Sequence, residues 1–262
     1  MNQEEKRLYL IRSLLDEQQS YRDVSIPDDP AEQRRLLRSL FNVRMPGKIS
    51  EDFLTIQDEY LQEEIRRKGI TDLSGLTPVS PGIYLWQGDI TTLRCDAIVN
   101  AANSGMTGCY RPCHNCIDNC IHTYAGIRLR NYCAEIMERQ GFEEPTGQAK
   151  ITPAFNLPCK YVIHTVGPIV SGTLTAEHEA LLGSCYRSCL ALTDESAVRS
   201  IAFCCISTGL FGFPQQRAAE IAIQTVMAYK KESNSSIEVI FNVFRDDDYS
   251  IYRDLLSNRS AD

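Results

Sequence analysis

The sequence predicts an α/β protein in which a three-layer α/β/α domain with a mixed, largely parallel sheet follows an N-terminal helical extension. From Gly82 onward, short apolar runs alternate with stretches of helical spacing, which is typical of a sheet covered by helices on both faces. Before that point the apolar residues recur only at helical spacing. We therefore place the helical extension at residues 1–78 and the α/β domain at residues 79–262.

The helical extension contains three amphipathic segments. The first has its apolar residues between Leu8 and Leu15, the second follows the acids and proline of DDPAEQ, and the third follows Ser50 in SEDF. Acids with a proline, or a serine, at these places are typical of helix N-termini. Because apolar stripes on helices usually pack against another element, we expect the extension to pack on the α/β domain or to support oligomerisation, and not to carry catalysis.

The α/β domain contains six predicted strands and four predicted helices. The strands are GIYLWQG, CDAIVNAAN, AKITPAF, KYVIHTVG, SIAFCCI and IEVIFNVF. The helices are IHTYAGIRLRNYCAEIMERQ, which ends before Gly141, and then EHEALLGSCYRSCLALTDE, QQRAAEIAIQTVMAYKKE and DYSIYRDLL. In open α/β sheets, ligands bind beyond the carboxyl ends of the strands, so we expect the functional loops at that edge.

Composition and charge argue against several classes of function. The 262 residues are 43% hydrophobic and 23% charged, as in ordinary globular proteins, and the net charge of −7 argues against binding of a nucleic-acid polymer. The first thirty residues carry charges throughout and no run of about 18 apolar residues occurs, so we expect a cytoplasmic protein without membrane contact. Eleven cysteines, an odd number, indicate reduced thiols or metal ligands more than disulfides.

The segment CYRPCHNCIDNCIH concentrates four cysteines, two histidines and one carboxylate in fourteen residues. Thiolate and imidazole ligands at such short spacing suit Zn²⁺, whereas Mg²⁺ and Ca²⁺ prefer oxygen, so we expect one zinc ion per chain. Asp118 stands at the expected start of a helix, where a carboxylate is stabilised in its ionised form and can cap the helix or orient a water. His122, one turn later, is expected to pack or to hydrogen-bond Asp118. His164 and His178 are isolated and carry no comparable signal.

Three loops that end or follow predicted strands carry polar or glycine-containing turns. Asp89 in GDIT offers an acceptor for the exocyclic amine of a base, and Asn103 in NAAN offers donors and acceptors for sugar hydroxyls. In STGLFGFP, from Ser207 to Pro214, the glycines let the backbone approach a diphosphate and present N–H groups to it. Each loop alone is more often an ordinary turn or cap.

In this order, GDIT, NAAN, STGLFGFP and the strand VIFNVF resemble the macrodomain, a fold that binds ADP-ribose. The segment IDNCIHTYAG is similar to the VDxAIHxAAG pattern of hydrolytic, MacroD-type macrodomains. The resemblance implies catalytic roles for Asn103 and Asp118, and it places Phe244 on the adenine and Phe213 beside the ribose, although either aromatic fits a plain core role. The ligand-binding residues that it implies are Asp89, Ile90, Asn103, Ser207, Thr208, Gly209, Leu210, Phe211, Gly212, Phe213 and Phe244.

CYRPCHNC stands where MacroD-type proteins have a run of glycines. This replacement resembles the zinc-containing macrodomain subclass of microbes, which also carries an N-terminal helical extension and whose motif is Cys, four residues, His, one residue, Cys. Cys109, His114 and Cys116 fit that motif as metal ligands. Three protein ligands leave a fourth position open, as in catalytic zinc sites, whereas a structural site would recruit Cys113 or Cys120 as the fourth ligand.

The resemblance implies a protein-ADP-ribose hydrolase that acts on mono-ADP-ribosylated protein, in which zinc and Asp118 promote attack by water. The zinc subclass implies an aspartate or glutamate acceptor, a lipoyl-carrier protein as partner and an association with a sirtuin-like ADP-ribosyltransferase. Two alternatives stay open at this point. One is a reader that binds ADP-ribose without cleaving it and whose zinc is structural, and the other is a deacetylase of O-acetyl-ADP-ribose.

Overall fold

The computed structural model describes residues 1–259 and confirms the predicted fold class. Its helices are α1 (Gln3–Asp16), α2 (Pro30–Val43), α3 (Glu51–Lys68), α4 (Ile117–Ala125), α5 (Ile127–Gln140), α6 (Ala176–Glu195), α7 (Gln215–Ser233) and α8 (Asp246–Arg259). Its strands are β1 (Thr71–Asp72), β2 (Ile83–Gln87), β3 (Leu93–Arg94), β4 (Ala97–Ala102), β5 (Ala149–Pro153), β6 (Tyr161–Val166), β7 (Ser200–Phe203) and β8 (Glu238–Val243). Within residues 1–259, no helix is long and apolar enough to span a membrane.

The main sheet has six strands in the order β2-β8-β7-β4-β6-β5. All neighbouring pairs are parallel except β5 and β6, which are antiparallel. The strands at the centre read as continuous apolar runs because helices cover both faces of a parallel sheet. The loops that leave β2, β8, β7 and β4 therefore lie side by side at one edge of the sheet.

Helices cover the main sheet and extend its core. Helices α6, α7 and α8 pack against one another and against sheet strands, while α4 and α5 contact β4 and β5. The main core includes fully buried residues from several strands, such as Ile98, Ile163 and Phe241. It also includes Ile65 from α3, so the helical extension contributes to the core of the α/β domain.

The helical extension has a core of its own that reaches into the α/β domain. Leu10, Leu37 and Phe53 of α1, α2 and α3 pack together with Ile127 at the start of α5. The predicted helix starts are in place, since Asp29 accepts a hydrogen bond from the Glu32 N–H and Ser50 accepts one from the Phe53 N–H, at 2.8 and 3.2 Å.

Two local features differ from the sequence-based expectation. The stretch predicted as one helix up to Gly141 is wrong at Gly126, which has φ 90° and separates α4 from α5. The apolar spacing continues across this break, so periodicity does not reveal it. In addition, β1 pairs in parallel with β3, so residues 71–72, assigned to the extension, join the α/β domain in a small two-stranded sheet.

Candidate functional site

The predicted metal segment, residues 109–116, brings three donor side chains close together. The ligand atoms of Cys109, His114 and Cys116 all lie within 4.8 Å of one another, and Cys109 Sγ is 3.7 Å from His114 Nδ1. Thiolate and imidazole ligands of one tetrahedral zinc ion lie about 3.6 Å apart, given their usual bond lengths. The donor set and its spacing therefore fit zinc. No structural finding tests the presence of the ion, so zinc binding stays a prediction.

Cys113 and Cys120, the other two cysteines of CYRPCHNCIDNCIH, face helix α2 and not this donor group. Cys113 has φ 52°, and its N–H donates to Asn42 Oδ1 at 2.8 Å while its Sγ lies 3.2 Å from Ser39 Oγ. Cys120 Sγ accepts a hydrogen bond from Arg38 at 3.6 Å. Neither thiol belongs to the donor group, so among residues 1–259 the group that could hold this metal has three protein ligands.

Asp118, in the first turn of α4, is buried beneath the end of β4. Its Oδ1 accepts a hydrogen bond from Asn100 at 2.8 Å, and its Oδ2 accepts one from Asn103 at 3.1 Å. Burial raises the pKa of Asp118 to about 6, against the opposing influence of Asn100, Arg130 and Asn103. The first turn of α4 is capped by Cys116, whose Sγ accepts from the Asn119 N–H at 3.4 Å, so Asp118 does not serve as the N-cap.

Asn103 joins the carboxylate to the metal segment. Its Nδ2 also donates to the carbonyl of Gly108 at 3.1 Å, and its Oδ1 accepts from the Gly105 N–H at 3.0 Å. Gly108 precedes Cys109 and has φ 87°, and a Cβ there would lie 2.7 Å from the ring of His122. Only glycine fits this approach. The two residues assigned to catalysis, Asn103 and Asp118, are therefore in direct contact. Asn103 also contacts Gly108, the residue before the first metal donor.

A buried polar network lies behind Asp118, and sequence reasoning missed it. Asn100 also contacts His164 Nδ1 at 3.1 Å, and His164 Nε2 is 3.0 Å from Thr152 Oγ1 and 3.9 Å from Cys133 Sγ. Burial lowers the pKa of His164 to about 3, so the ring is neutral. Both of its ring nitrogens have hydrogen-bond partners in this network, and the ligand atoms of His164, Cys133 and His122 lie within 4.8 Å of one another. A polar residue inside an apolar strand, such as Asn100, is the signal that marks it.

His122 is buried and lies 3.6 Å from Asp118, without a hydrogen bond. Burial, followed by the neighbouring His164, lowers its pKa well below the usual value, so it is neutral and outside the Cys109 donor group. His178 shares a capping box with Thr175 at the start of α6, far along the chain from the site.

Asp89, after β2, is held by the helical extension. Its Oδ2 accepts from Lys68 Nζ at 2.8 Å, and its Oδ1 accepts from the N–H and hydroxyl of Thr91 at 3.0 and 2.6 Å. Burial acts to raise the pKa of Asp89, but the hydrogen bonds from Lys68 and Thr91 outweigh it and the pKa is lowered. Lys68 also lies over the ring of Tyr124, 3.4 Å from its centroid. Asp89 is thus a fixed, ionised acceptor at the edge of the sheet.

The loop Ser207–Pro214 connects β7 to α7 and turns back on itself. The Phe213 N–H donates to the Ser207 carbonyl at 3.0 Å, and the Gly212 N–H donates to the Gly209 carbonyl at 3.0 Å. Across residues 1–259, no protein acceptor takes the N–H groups of Gly209, Leu210 or Phe211. Free N–H groups in such a turn favour an anion.

The remaining predicted ligand residues divide by burial. Phe244 is 75% exposed and Leu210 is 79% exposed, so both side chains are available to a ligand. Phe213 is 2% exposed and belongs to the main core, which fits the core role that the sequence also allowed, and its place beside the ribose stays a prediction. Ile90 is likewise buried, which leaves its backbone as the only part that can serve a ligand. Thr208 uses its hydroxyl to bond the Cys205 carbonyl at 3.0 Å.

The chain is similar in sequence to a known family and to bacterial proteins. The profile of the Macro domain family matches residues 99–222. A relative from Treponema medium, named protein-ADP-ribose hydrolase, is 60% identical over 261 residues, which cover 98% of this chain and 100% of that protein. A relative of the same name from Staphylococcus aureus strain MRSA252 is 47% identical over 256 residues, covering 97% of this chain and 96% of that protein.

Solved structures of similar fold are macrodomains. A variant of the Oceanobacillus iheyensis macrodomain with ADPR has a TM-score of 0.65 and 37% identity, and covers 71% of this chain and 98% of its own. The Trypanosoma brucei macrodomain in complex with ADP-ribose has a TM-score of 0.64 and 29% identity, and covers 88% of this chain and 97% of its own. This chain is therefore longer than the Oceanobacillus domain that it resembles.

Proposed function

The chain belongs to the Macro domain family, and from this premise we propose that it is a zinc-dependent hydrolase that removes single ADP-ribose units from aspartate or glutamate side chains of proteins. That it is an enzyme that hydrolyses protein-linked ADP-ribose rests on relatives of that name at 60% and 47% identity over nearly the whole chain. The observation that carries the zinc dependence is the hydrogen bond from Asn103 to Gly108, which sets the metal donors beside the Asn103–Asp118 pair.

The sheet edge supplies complementary groups for each part of ADP-ribose. The ionised Asp89 is an acceptor for the adenine amine, and the exposed ring of Phe244 offers a face on which the base can stack. The free N–H groups of Gly209, Leu210 and Phe211 suit the diphosphate. The distal ribose then lies toward Asn103 and the metal segment.

A zinc ion held by Cys109, His114 and Cys116 would supply a Lewis acid at its open fourth position. Asn103 presents its Oδ1 to a ribose hydroxyl in a fixed orientation, because both hydrogens of its Nδ2 are donated to Gly108 and Asp118 and its Oδ1 uses one of two lone pairs on the Gly105 N–H. Asp118 holds that amide and places a carboxylate beneath the ribose, where positive charge develops as a glycosidic bond breaks. Water is consumed, the bond between the ribose and the acyl oxygen is broken, and ADP-ribose and the free carboxylate of the protein are released.

Removal of the metal tests this assignment. We expect metal-loaded enzyme to release ADP-ribose from a protein modified on aspartate or glutamate, and chelator-stripped enzyme to lose this turnover while circular dichroism shows an unchanged fold. Loss of turnover together with the fold would make the zinc structural. Turnover that persists in stripped enzyme would contradict zinc dependence and leave catalysis to Asn103 and Asp118.

The two alternative functions differ from this proposal in measurable ways. A reader with a structural zinc would need a closed set of four ligands, and Cys113 and Cys120 are instead engaged by α2. A substrate panel that contains O-acetyl-ADP-ribose separates ester cleavage of the small molecule from removal of the protein modification. A modified lipoyl-carrier protein belongs in the same panel, because it and the link to a sirtuin-like transferase are supported by sequence resemblance alone.

A further inference from the structure

Asn119 is the residue around which the metal segment is wrapped. It lies one position after Asp118 in α4 and is fully buried. Its side-chain Nδ2 donates to the carbonyls of Cys109 and Arg111 at 3.2 and 3.0 Å, and its backbone N–H donates to Cys116 Sγ at 3.4 Å. One residue therefore contacts the segment at its first donor, in its middle and at its last donor.

Arg38 of α2 fixes the orientation of the Asn119 amide. Its Nη2 donates to Asn119 Oδ1 at 3.0 Å and to the carbonyl of His114 at 2.8 Å. Because the guanidinium occupies the oxygen side of the amide, the NH₂ group must face the carbonyls of Cys109 and Arg111. The same Nη2 thus touches the segment directly at the histidine donor and indirectly at the cysteine donors.

Helix α2 is in turn clamped to the α/β domain next to this segment. Arg130 of α5 donates to the carbonyls of Phe41, Asn42 and Arg44 at 2.9, 2.8 and 2.6 Å, and to the carbonyl of Thr107 at 2.8 Å. One guanidinium therefore joins the end of α2 to the chain that leads into Cys109. The Nε of Arg38 is buried without a partner among the described residues, and a buried, unpaired donor is costly. Packing alone therefore does not explain why an arginine stands at this position.

We propose that α2 of the helical extension is part of the metal site, and that Arg38, acting through Asn119, holds the Cys109–Cys116 segment in the conformation that brings its three donors together before the metal binds. Arg38 is a positioning residue and touches neither metal nor substrate. This inference rests on the zinc binding that the proposed function includes. A segment ordered in advance loses less conformational freedom when it binds the metal, so its affinity is higher.

Arg38→Met is the variant that tests this role, because it removes the guanidinium and keeps an unbranched apolar stem. Arg34→Met is the matched control, since Arg34 is exposed on the same helix and loses the same charge. Zinc affinity of the metal-free proteins is measured by competition with a chromogenic chelator. We expect Arg38→Met to bind zinc about 10- to 100-fold more weakly, which is typical for loss of a group that orients metal ligands, and Arg34→Met to bind zinc as the wild type does.

Two further measurements separate positioning from general destabilisation. At saturating zinc, Arg38→Met should recover turnover, because the groups that contact substrate are intact. The Arg38→Met/Asn119→Ala double variant should lose less zinc affinity than the sum of the two single losses, because the two residues share one contact, while the contact of Arg38 with the His114 carbonyl is independent of Asn119. If Arg38→Met is unfolded by circular dichroism, Arg38→Lys is used, which keeps a cation too short to bridge both acceptors and should also weaken zinc binding.

Wild-type zinc affinity in Arg38→Met, or additive losses in the double variant, would overturn the inference and leave the proposed function standing. Wild-type enzyme that hydrolyses its substrate without binding zinc would overturn both the inference and the zinc dependence. Weakened zinc binding in Arg38→Met, with no hydrolysis by any form of the protein, would support the inference and contradict the proposed function.

Discussion

At the scale of single residues, the site is organised by two asparagines that share one carboxylate. Asn100 and Asn103 end the same strand with one donor each on Asp118. Successive residues of a strand point to opposite faces, so residues three positions apart also point to opposite faces. The two asparagines can therefore converge only where the strand gives way to a loop. The carboxylate thus sets the position of the amide nearest the metal segment.

Replacing Asp118 by asparagine should abolish most turnover and leave the fold intact. The new amide is of the same size but brings a donor toward two existing donors and removes the negative charge. We expect kcat/KM for release of ADP-ribose to fall by about 10²-fold or more. Asp16→Asn, at an exposed position of α1, is the control and should show wild-type turnover. Comparable turnover in Asp118→Asn would rule out a role for this carboxylate.

Asp89 offers a second prediction, with a matched control nearby. Both Asp89 and Asp72 are half-exposed and ion-paired, to Lys68 and Arg94. Asp89→Asn should weaken ADP-ribose binding by about 10-fold, as expected for a hydrogen bond to a charged group, while Asp72→Asn should not. Calorimetric titration measures both. Equal affinities in the two variants would remove Asp89 from the adenine site.

The lowered pKa of Asp89 fixes the sign of its pH dependence. Its charge is present above the ordinary aspartate pKa and is lost only when the pH falls through a value lower still. ADP-ribose affinity should therefore not change through this group between about pH 5 and pH 8. Because the pKa of Asp118 is about 6 and lies in this range, the same calorimetric titration is made on Asp118→Asn at both pH values, and a steep decline toward pH 5 in that variant would contradict an ionised Asp89 in the folded protein.

At the scale of elements, a break at Gly126 separates α4, the helix that carries Asp118, from α5. Gly126 has φ 90° and ψ 178°, a conformation essentially limited to glycine. Gln57 of α3 fills the space beside it and accepts from the Ile127 N–H at 3.0 Å, which satisfies a buried N–H at the start of α5. The third helix of the extension therefore caps a helix of the α/β domain.

Gly126→Ala should destabilise the protein more than Gly141→Ala. A Cβ at Gly126 would lie 2.7 Å from Gln57 Nε2, whereas a Cβ at Gly141, with φ 77°, meets nothing within 4 Å. We expect a loss of about 3 kcal/mol in the free energy of unfolding at Gly126 and about 1 kcal/mol at Gly141. Urea denaturation of the two variants gives the difference. Equal losses would mean that the Gln57 contact contributes nothing.

Local sequence patterns predicted the regular elements, and they failed where distant segments meet. Apolar periodicity located the helices of the extension and the strands of the main sheet, because each is set by its own burial. It did not locate the break at Gly126, where helical spacing continues. The contacts of Arg38 with His114 and of Lys68 with Asp89 join helices to loops elsewhere in the chain, and no short pattern records them. The role of His164 was not predicted, because its partners Asn100 and Thr152 lie on the two neighbouring strands β4 and β5.

At the scale of the whole molecule, the helical extension and the α/β domain share one interior. The Oceanobacillus macrodomain that covers 71% of this chain shows that such a domain folds without so much additional sequence. Here, however, Ile127 packs into the core of the extension and Ile65 packs into the core of the α/β domain. Each part therefore buries an apolar side chain of the other.

A chain that lacks residues 1–69 should therefore be poorly folded, unlike shorter macrodomains. Loss of residues 1–69 would expose Ile127 to water, and it would also remove Ile65, Gln57 and Arg38 together with their contacts. We expect aggregation, or a lower midpoint of thermal unfolding, together with loss of zinc binding. Scanning calorimetry and gel filtration are the measurements. A monomeric, cooperatively unfolding truncated protein would show that the extension only adds to a self-sufficient domain.

The clamp between α2 and the metal segment also constrains how the protein reaches its active form. Arg38 and its partners His114 and Asn119 are 76 and 81 residues apart in the chain, and Arg130 is 89 residues from Phe41. Contacts of such long range form late, because closing large loops must precede them. Helices α1, α2 and α3 can cover one another's apolar faces early, but the contacts of Arg38 wait for the middle of the chain. In this order the proposed metal site is complete only after α2 has docked, so we expect folding to precede metal capture.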